Sequence, residues 1–140
     1  MTAKECLLKV GRLEDAARRA EARADALRES IGMITPNYDG VRVQGGSSSI
    51  EDALARLTEA EERVKEARAT AAIYKDTVLE RIDLLDGEHQ AEILKVAYIE
   101  RVRDWNEISA RVHLSKRHAQ RIHGLALLAF AKIMPTAERN

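Results

Sequence analysis

Residues 104–130 read DWNEISARVHLSKRHAQRIHGLALLAF. Asp104, followed three residues later by Glu107, opens a helix, because side chains so spaced satisfy amide groups that a first turn leaves unpaired. Ile108 and Val112, four residues apart, give this helix a single apolar stripe, so it spans about 105–112. His113-Leu114 then make a tight turn, Ser115 is a good N-cap, and a further helix runs from about 116 to 133. Its buried stripe is predicted at Ala119, Ile122, Ala126, Ala129, Phe130 and Ile133. Arg117, Gln120, Arg121 and Gly124 fall on the opposite face, with Lys116 at the leading end. Leu114 and Ala119 stand where a hydrophobic staple sets the angle of entry. A two-turn helix, a tight turn and a longer basic helix together make a helix-turn-helix.

Working upstream, Asp86-Gly87 breaks the chain before a short apolar-periodic segment: Ala91, Ile93, Leu94, Ala97 and Tyr98. The preceding residues carry two long seams of alternating four- and three-residue spacing. The first is Cys6, Val10, Leu13, Ala17, Ala20, Ala24, Leu27, Ile31 and Ile34. The second is Ala53, Leu57, Ala60, Val64, Ala67, Ala71, Tyr74 and Val78, with Leu85 in phase. A 3.5-residue period is the seam of a coiled coil. Pro36, Gly40, Gly45 and Gly46 interrupt it, and Ser48 with Glu51 forms a second capping pair. Helix 1 is therefore expected at about 3–34 and helix 2 at about 49–86, joined by a loop at 35–48. The fold class expected is all-α: a long N-terminal antiparallel helical hairpin, residues 1–87, followed by a small helix-turn-helix domain, residues 88–140.

Both seams are rich in alanine, so each layer buries little apolar area, at roughly 25 cal/mol per Å². Pairing with a second copy through Val10, Leu13, Leu27, Ile31, Leu57 and Val64 would bury more. A homo-oligomer, with a dimer favoured, is the expectation; folding of the hairpin back on the C-terminal domain is the alternative.

Composition agrees with this class. Of the 140 residues, 33% are charged and only 4% aromatic, a balance that suits long, surface-rich helices. No stretch approaches the roughly 20 apolar residues of a membrane span, and the N-terminus has acids among its bases, unlike a signal peptide. The single cysteine, Cys6, suits a reducing compartment and reads as a small buried hydrophobe. The formal net charge is zero, but it is unevenly distributed. Residues 1–94 carry 14 Lys/Arg against 19 Asp/Glu, a net −5, and residues 95–140 carry 9 against 4, a net +5. A basic segment of this kind is the electrostatic footprint of a partner that carries phosphate.

The candidate chemistry follows from the face of the last helix. An α-helix fits the major groove of B-DNA, where Arg bonds bidentately to guanine and Gln to adenine. Arg117, Gln120 and Arg121 are the expected base readers. Lys116, Arg103 and Arg111, with His118 when protonated, are the expected phosphate contacts, and Ser115, the N-cap, completes the expected DNA-binding set. His113, His118 and His123 are five residues apart, a spacing that does not gather ligands on one helix face, so no metal site is expected. Trp105 reads as a core anchor. No phosphate-binding glycine motif, paired catalytic carboxylates or triad pattern is present, so neither an enzyme nor a cofactor is expected.

The segment WNEISARVHLSKRHAQRIHGLALLAF resembles region 4 of the sigma-70 family of polymerase specificity factors. The likeness rests on Glu107-Ile108-Ser109 in the shorter helix, Ser115-Lys116-Arg117-His118 at the start of the longer one, and the closing Ala126-Leu127. The whole chain is also similar to small phage and prophage proteins. In these a helical hairpin, a Val-Gln-containing serine-rich loop (here Val43-Gln44-Gly45-Gly46-Ser47-Ser48) and a region-4-like motif follow in that order. The resemblance implies phage-linked transcriptional regulation in the cytoplasm of a bacterial host cell, on double-stranded DNA and with RNA polymerase as a possible partner. Three departures stand out: Arg101-Val102-Arg103 lies where a glycine commonly precedes the second helix, His113 occupies a usual glycine position of the turn, and Gly124 replaces a good helix former inside the last helix, at roughly 1 kcal/mol relative to Ala. Two rival expectations are a genome-packaging protein of the terminase small-subunit type and a helical protein–protein interaction module that binds no DNA.

Overall fold

The computed structural model describes residues 1–34 and 46–139. Every regular element among them is helical: α1 (Ala3–Ile34), α2 (Gly46–Ile82), α3 (Gln90–Leu94), α4 (Trp105–Arg111) and α5 (Lys116–Ile133). A π-helical stretch, Lys95–Ile99, continues α3, and a short 3-10 turn, Thr136–Glu138, follows α5. The all-α class is thus observed, and no described helix is long and apolar enough to cross a membrane. Residues 35–45, including Val43-Gln44, lie outside the described residues, as does the side chain of Ser48. Helix α2 begins at Gly46, which places Ser48 within its first turn.

Two compact units share the chain. One consists of residues 14–70 and pairs the last two thirds of α1 with the first two thirds of α2. Its buried seam is made of alanine, with Ala17, Ala24 and Ala60 all nearly inaccessible, flanked by half-buried Leu27, Ile31, Leu57 and Val64. Arg28 reaches Glu61 at 2.8 Å, and Arg68 pairs with Glu21. Seven residues forward along α1, from Glu21 to Arg28, correspond to seven backward along α2, from Arg68 to Glu61. The two segments therefore run antiparallel. These pairs are exposed, so they contribute register more than stability.

The other unit comprises residues 1–13 with 71–140. Helix α1 starts on a reciprocal cap: the Glu5 amide donates to Thr2 Oγ1, and the Thr2 amide donates to Glu5 Oε2, each at 3.1 Å. Ala3, Cys6, Leu7 and Val10 follow at helical spacing and are buried with Val78, Ile82, Leu94, Tyr98, Ala126, Phe130 and Met134. This is the broad apolar face of a globular helix, wider than a 3.5-period seam. Val10 is fully buried in this core of its own chain. Cys6 is equally inaccessible, and the Tyr74 hydroxyl donates to its carbonyl oxygen at 2.9 Å. Burial pushes the Cys6 thiol pKa up from its ordinary value.

Gly11 has a definite reason to lie inside α1. A Cβ built there would stand 2.9 Å from Arg101 Nε and 3.0 Å from Arg101 Cζ, so the guanidinium occupies the space that a side chain would fill.

Candidate nucleic-acid interface

A second apolar cluster holds α3, α4 and α5 together: Ile93, Val96, Ile108, Val112, Ala119 and Ile122, with Val102, Trp105 and Leu114 packed against it. It determines how α5 is presented. Both helices start on side-chain caps. Asp104 Oδ1 accepts from the Asn106 amide at 3.1 Å, and Ser115 Oγ accepts from the His118 amide at 3.2 Å. Observed α4 and α5 agree with the sequence bounds to within a residue. Glu107, read from sequence as half of a capping pair, instead reaches Arg111 at 3.3 Å.

The turn between α4 and α5 is closed by backbone geometry. His113 has φ 57°, in the left-handed region. Its amide donates to the Ala110 carbonyl at 3.3 Å, and the Leu114 amide donates to the Ser109 carbonyl at 3.1 Å. This pair of bonds is a Schellman ending with histidine in the position that usually holds glycine. Leu114 then packs on the second cluster with Ala119, as a staple requires. At the other end of α4's approach, Arg101 also has a positive φ, 61°. The Val102 amide donates to the Val96 carbonyl at 3.1 Å across the π turn. The two departures from glycine seen in the sequence are therefore both real left-handed positions.

The start of α5 places Lys116, Arg117, Gln120 and Arg121 in solvent, and Ser115 is exposed beside them. His118 is half-buried. Arg103 is exposed just ahead of α4. Among the described residues Lys116, Arg117, Arg121 and Arg103 have no acidic partner. Arg111 differs: it is exposed, but it pairs with both Glu100 and Glu107, so its charge is already met within the chain. The geometry thus gathers Lys116, Arg117, Gln120 and Arg121 on one outward surface and leaves Arg111 in an acid-rich cluster.

Sequence reasoning missed His123. It is half-buried, with Nε2 2.8 Å from the Tyr98 hydroxyl. The Tyr98 ring lies stacked at 5.7 Å, and Trp105 meets His123 edge-on at 5.0 Å. Tyr98 belongs to the first apolar cluster and Trp105 packs on the second, so His123 joins them under α5. Burial lowers the His123 pKa below its ordinary value, with nearby Lys4 acting in the same direction. One signal was available: His123 follows Ala119 by four residues and precedes Ala126 by three, at the margin of the buried stripe.

Comparison with protein-family models, curated proteins and solved structures returns no match to this chain.

Proposed function

We propose that the chain is a DNA-binding regulator of phage type, in which α4, the left-handed turn and α5 act as a helix-turn-helix and the long antiparallel helices form its second part. The observation that carries this reading is the amino-terminal half of α5. It is capped by Ser115, braced by a buried cluster, and presents Lys116, Arg117, Gln120 and Arg121 outward with no acid partner for the three cations among the described residues. Such a face matches the major groove, where Arg and Gln read base edges and the helix amino end favours phosphate. The exposed bases offer no comparable use inside the chain, because the stripe that packs α5 is the opposite one. The resemblance to sigma region 4 adds promoter DNA as the target class.

Selection from a random duplex pool, followed by a salt titration of the recovered sequence, tests the reading. The expected result is enrichment of a defined site. Simultaneous Arg117→Ala and Arg121→Ala should then weaken binding by at least about tenfold, since each good base pairing is worth about 1–3 kcal/mol. No enrichment, or full affinity in the double variant, refutes it.

A further inference from the structure

Gly124 lies in the interior of α5, is exposed, and a Cβ built on it would meet nothing within 4 Å. Gly11 is filled by the Arg101 guanidinium and Gly46 opens α2, whereas Gly32, in the last turn of α1, has the same open surroundings as Gly124. Nothing among the described residues requires glycine at 124, yet glycine inside a helix destabilises it relative to alanine through the freedom of the unfolded chain. Its place is informative. Gly124 follows Arg121 by three residues, Gln120 by four and Arg117 by seven, so it continues the same outward face.

We propose that Gly124 is where the sugar–phosphate backbone of bound duplex passes closest to α5, the missing Cβ letting it reach van der Waals contact with the helix main chain. The inference rests on the DNA reading above and places the groove wall on the helix. At a rise of about 1.5 Å per residue, Gly124 lies roughly 12 Å along the axis from Lys116. With the first turns of α5 in the major groove, a residue two turns farther along the same face comes alongside the backbone that borders the groove, as the carboxyl end of a recognition helix does. A contact of this kind is steric and independent of sequence. It differs from the base readers, whose loss relaxes specificity.

The test is a pair of alanine substitutions, with binding measured by fluorescence anisotropy on the duplex recovered by selection and on an unrelated duplex. Gly124→Ala is expected to raise the melting temperature by about 2–6 °C, as relief of an interior glycine does. The same variant is expected to bind both duplexes about tenfold more weakly. The slope of log affinity against log salt should be unchanged, because no phosphate-pairing cation is removed. Gly32→Ala is expected to leave DNA affinity at the native value. Native affinity in Gly124→Ala, or a fall in its melting temperature, overturns the inference while leaving the DNA reading intact. Undiminished binding in the Arg117→Ala, Arg121→Ala double variant, or no DNA binding by the native chain, overturns the DNA reading and the inference with it.

Discussion

His113 and Arg101 hold left-handed backbone without being glycine, and replacing each by glycine should move stability in opposite directions. Left-handed geometry costs a residue with a Cβ about 1–2 kcal/mol. Glycine removes that cost but loses roughly 0.5–1 kcal/mol through the greater freedom of the unfolded chain. At His113 little else changes, because the side chain is exposed and makes no hydrogen bond or ion pair among the described residues. His113→Gly should therefore gain about 0.5–1 kcal/mol. Arg101→Gly receives the same relief but removes a half-buried guanidinium from its seat on Gly11. Lost packing of a long stem and loss of its polar interactions together cost about 1.5–2 kcal/mol, so the net expectation is a loss of about 1 kcal/mol. Urea denaturation of both variants at neutral pH measures this directly, and an unchanged m-value would show that the unfolded reference is the same. A neutral or destabilised His113→Gly, or a shift of the same sign in both, refutes the account of strain at these helix ends.

Four further outcomes follow from the site and the core. Glu107→Gln with Glu100→Gln frees Arg111 from its acid cluster, so DNA affinity at low salt should rise and the salt slope steepen by up to about one unit; an unchanged slope would mean that Arg111 stays away from phosphate. Because burial lowers the His123 pKa, the folded chain binds fewer protons there than the unfolded one. The stability linked to His123 is then present above its ordinary pKa and declines as pH falls below it. His123→Gln should flatten that decline in denaturation midpoints, and an identical pH profile would refute the assignment. Cys6, fully buried with its pKa raised, should resist thiol reagents in the native state and react fully in urea; rapid native labelling would show that the start of α1 does not pack as described. Phe130→Ala, at a fully buried site in the first cluster, should lose about 3–5 kcal/mol, and a loss below about 1 kcal/mol in denaturant would contradict that packing.

Local signals were legible where their cause is local. The bounds of α4 and α5 depend on Asp104, Ser115 and stripes within one helix, and these appear in the sequence as they do in the structure. The left-handed His113 was legible as a question: a residue with a Cβ in a glycine position must either accept strain or reshape the turn, and it accepts the strain. What the sequence hid depends on partners far along the chain. Leu7 and Ile82 are fully buried yet fall off the 3.5-residue seams, because the ends of α1 and α2 face the apolar residues of α5, not only each other. The fate of Glu107 was equally hidden, since helix spacing allows it both a backward cap and a forward pair with Arg111, and only Glu100 nearby reveals the second. The π turn at Lys95–Ile99 has no signature in residue type; it is recognised by the bonds it makes, such as Glu100 amide to Lys95 carbonyl at 2.8 Å.

The division of α5 into two faces makes the proposed activity separable from stability, and that separation is itself a demand on the reading. Ala119, Ile122, Ala126 and Phe130 supply the packing, while Lys116, Arg117, Gln120 and Arg121 are exposed. Substitutions on an exposed face away from caps and buried networks usually change stability by no more than about 0.5 kcal/mol. Arg117→Ala and Arg121→Ala should therefore melt as the native chain does while losing DNA. Residue 123 is where the faces meet: His123 holds Tyr98 and Trp105 from the margin of the buried stripe. His123→Ala should accordingly weaken both properties, stability directly and DNA binding through the tilt of α5. Weaker DNA binding with unchanged melting would place His123 at the DNA itself, and lower melting with unchanged binding would show that α5 keeps its orientation without it. Either result would require redrawing the boundary between the face that packs and the face that reads.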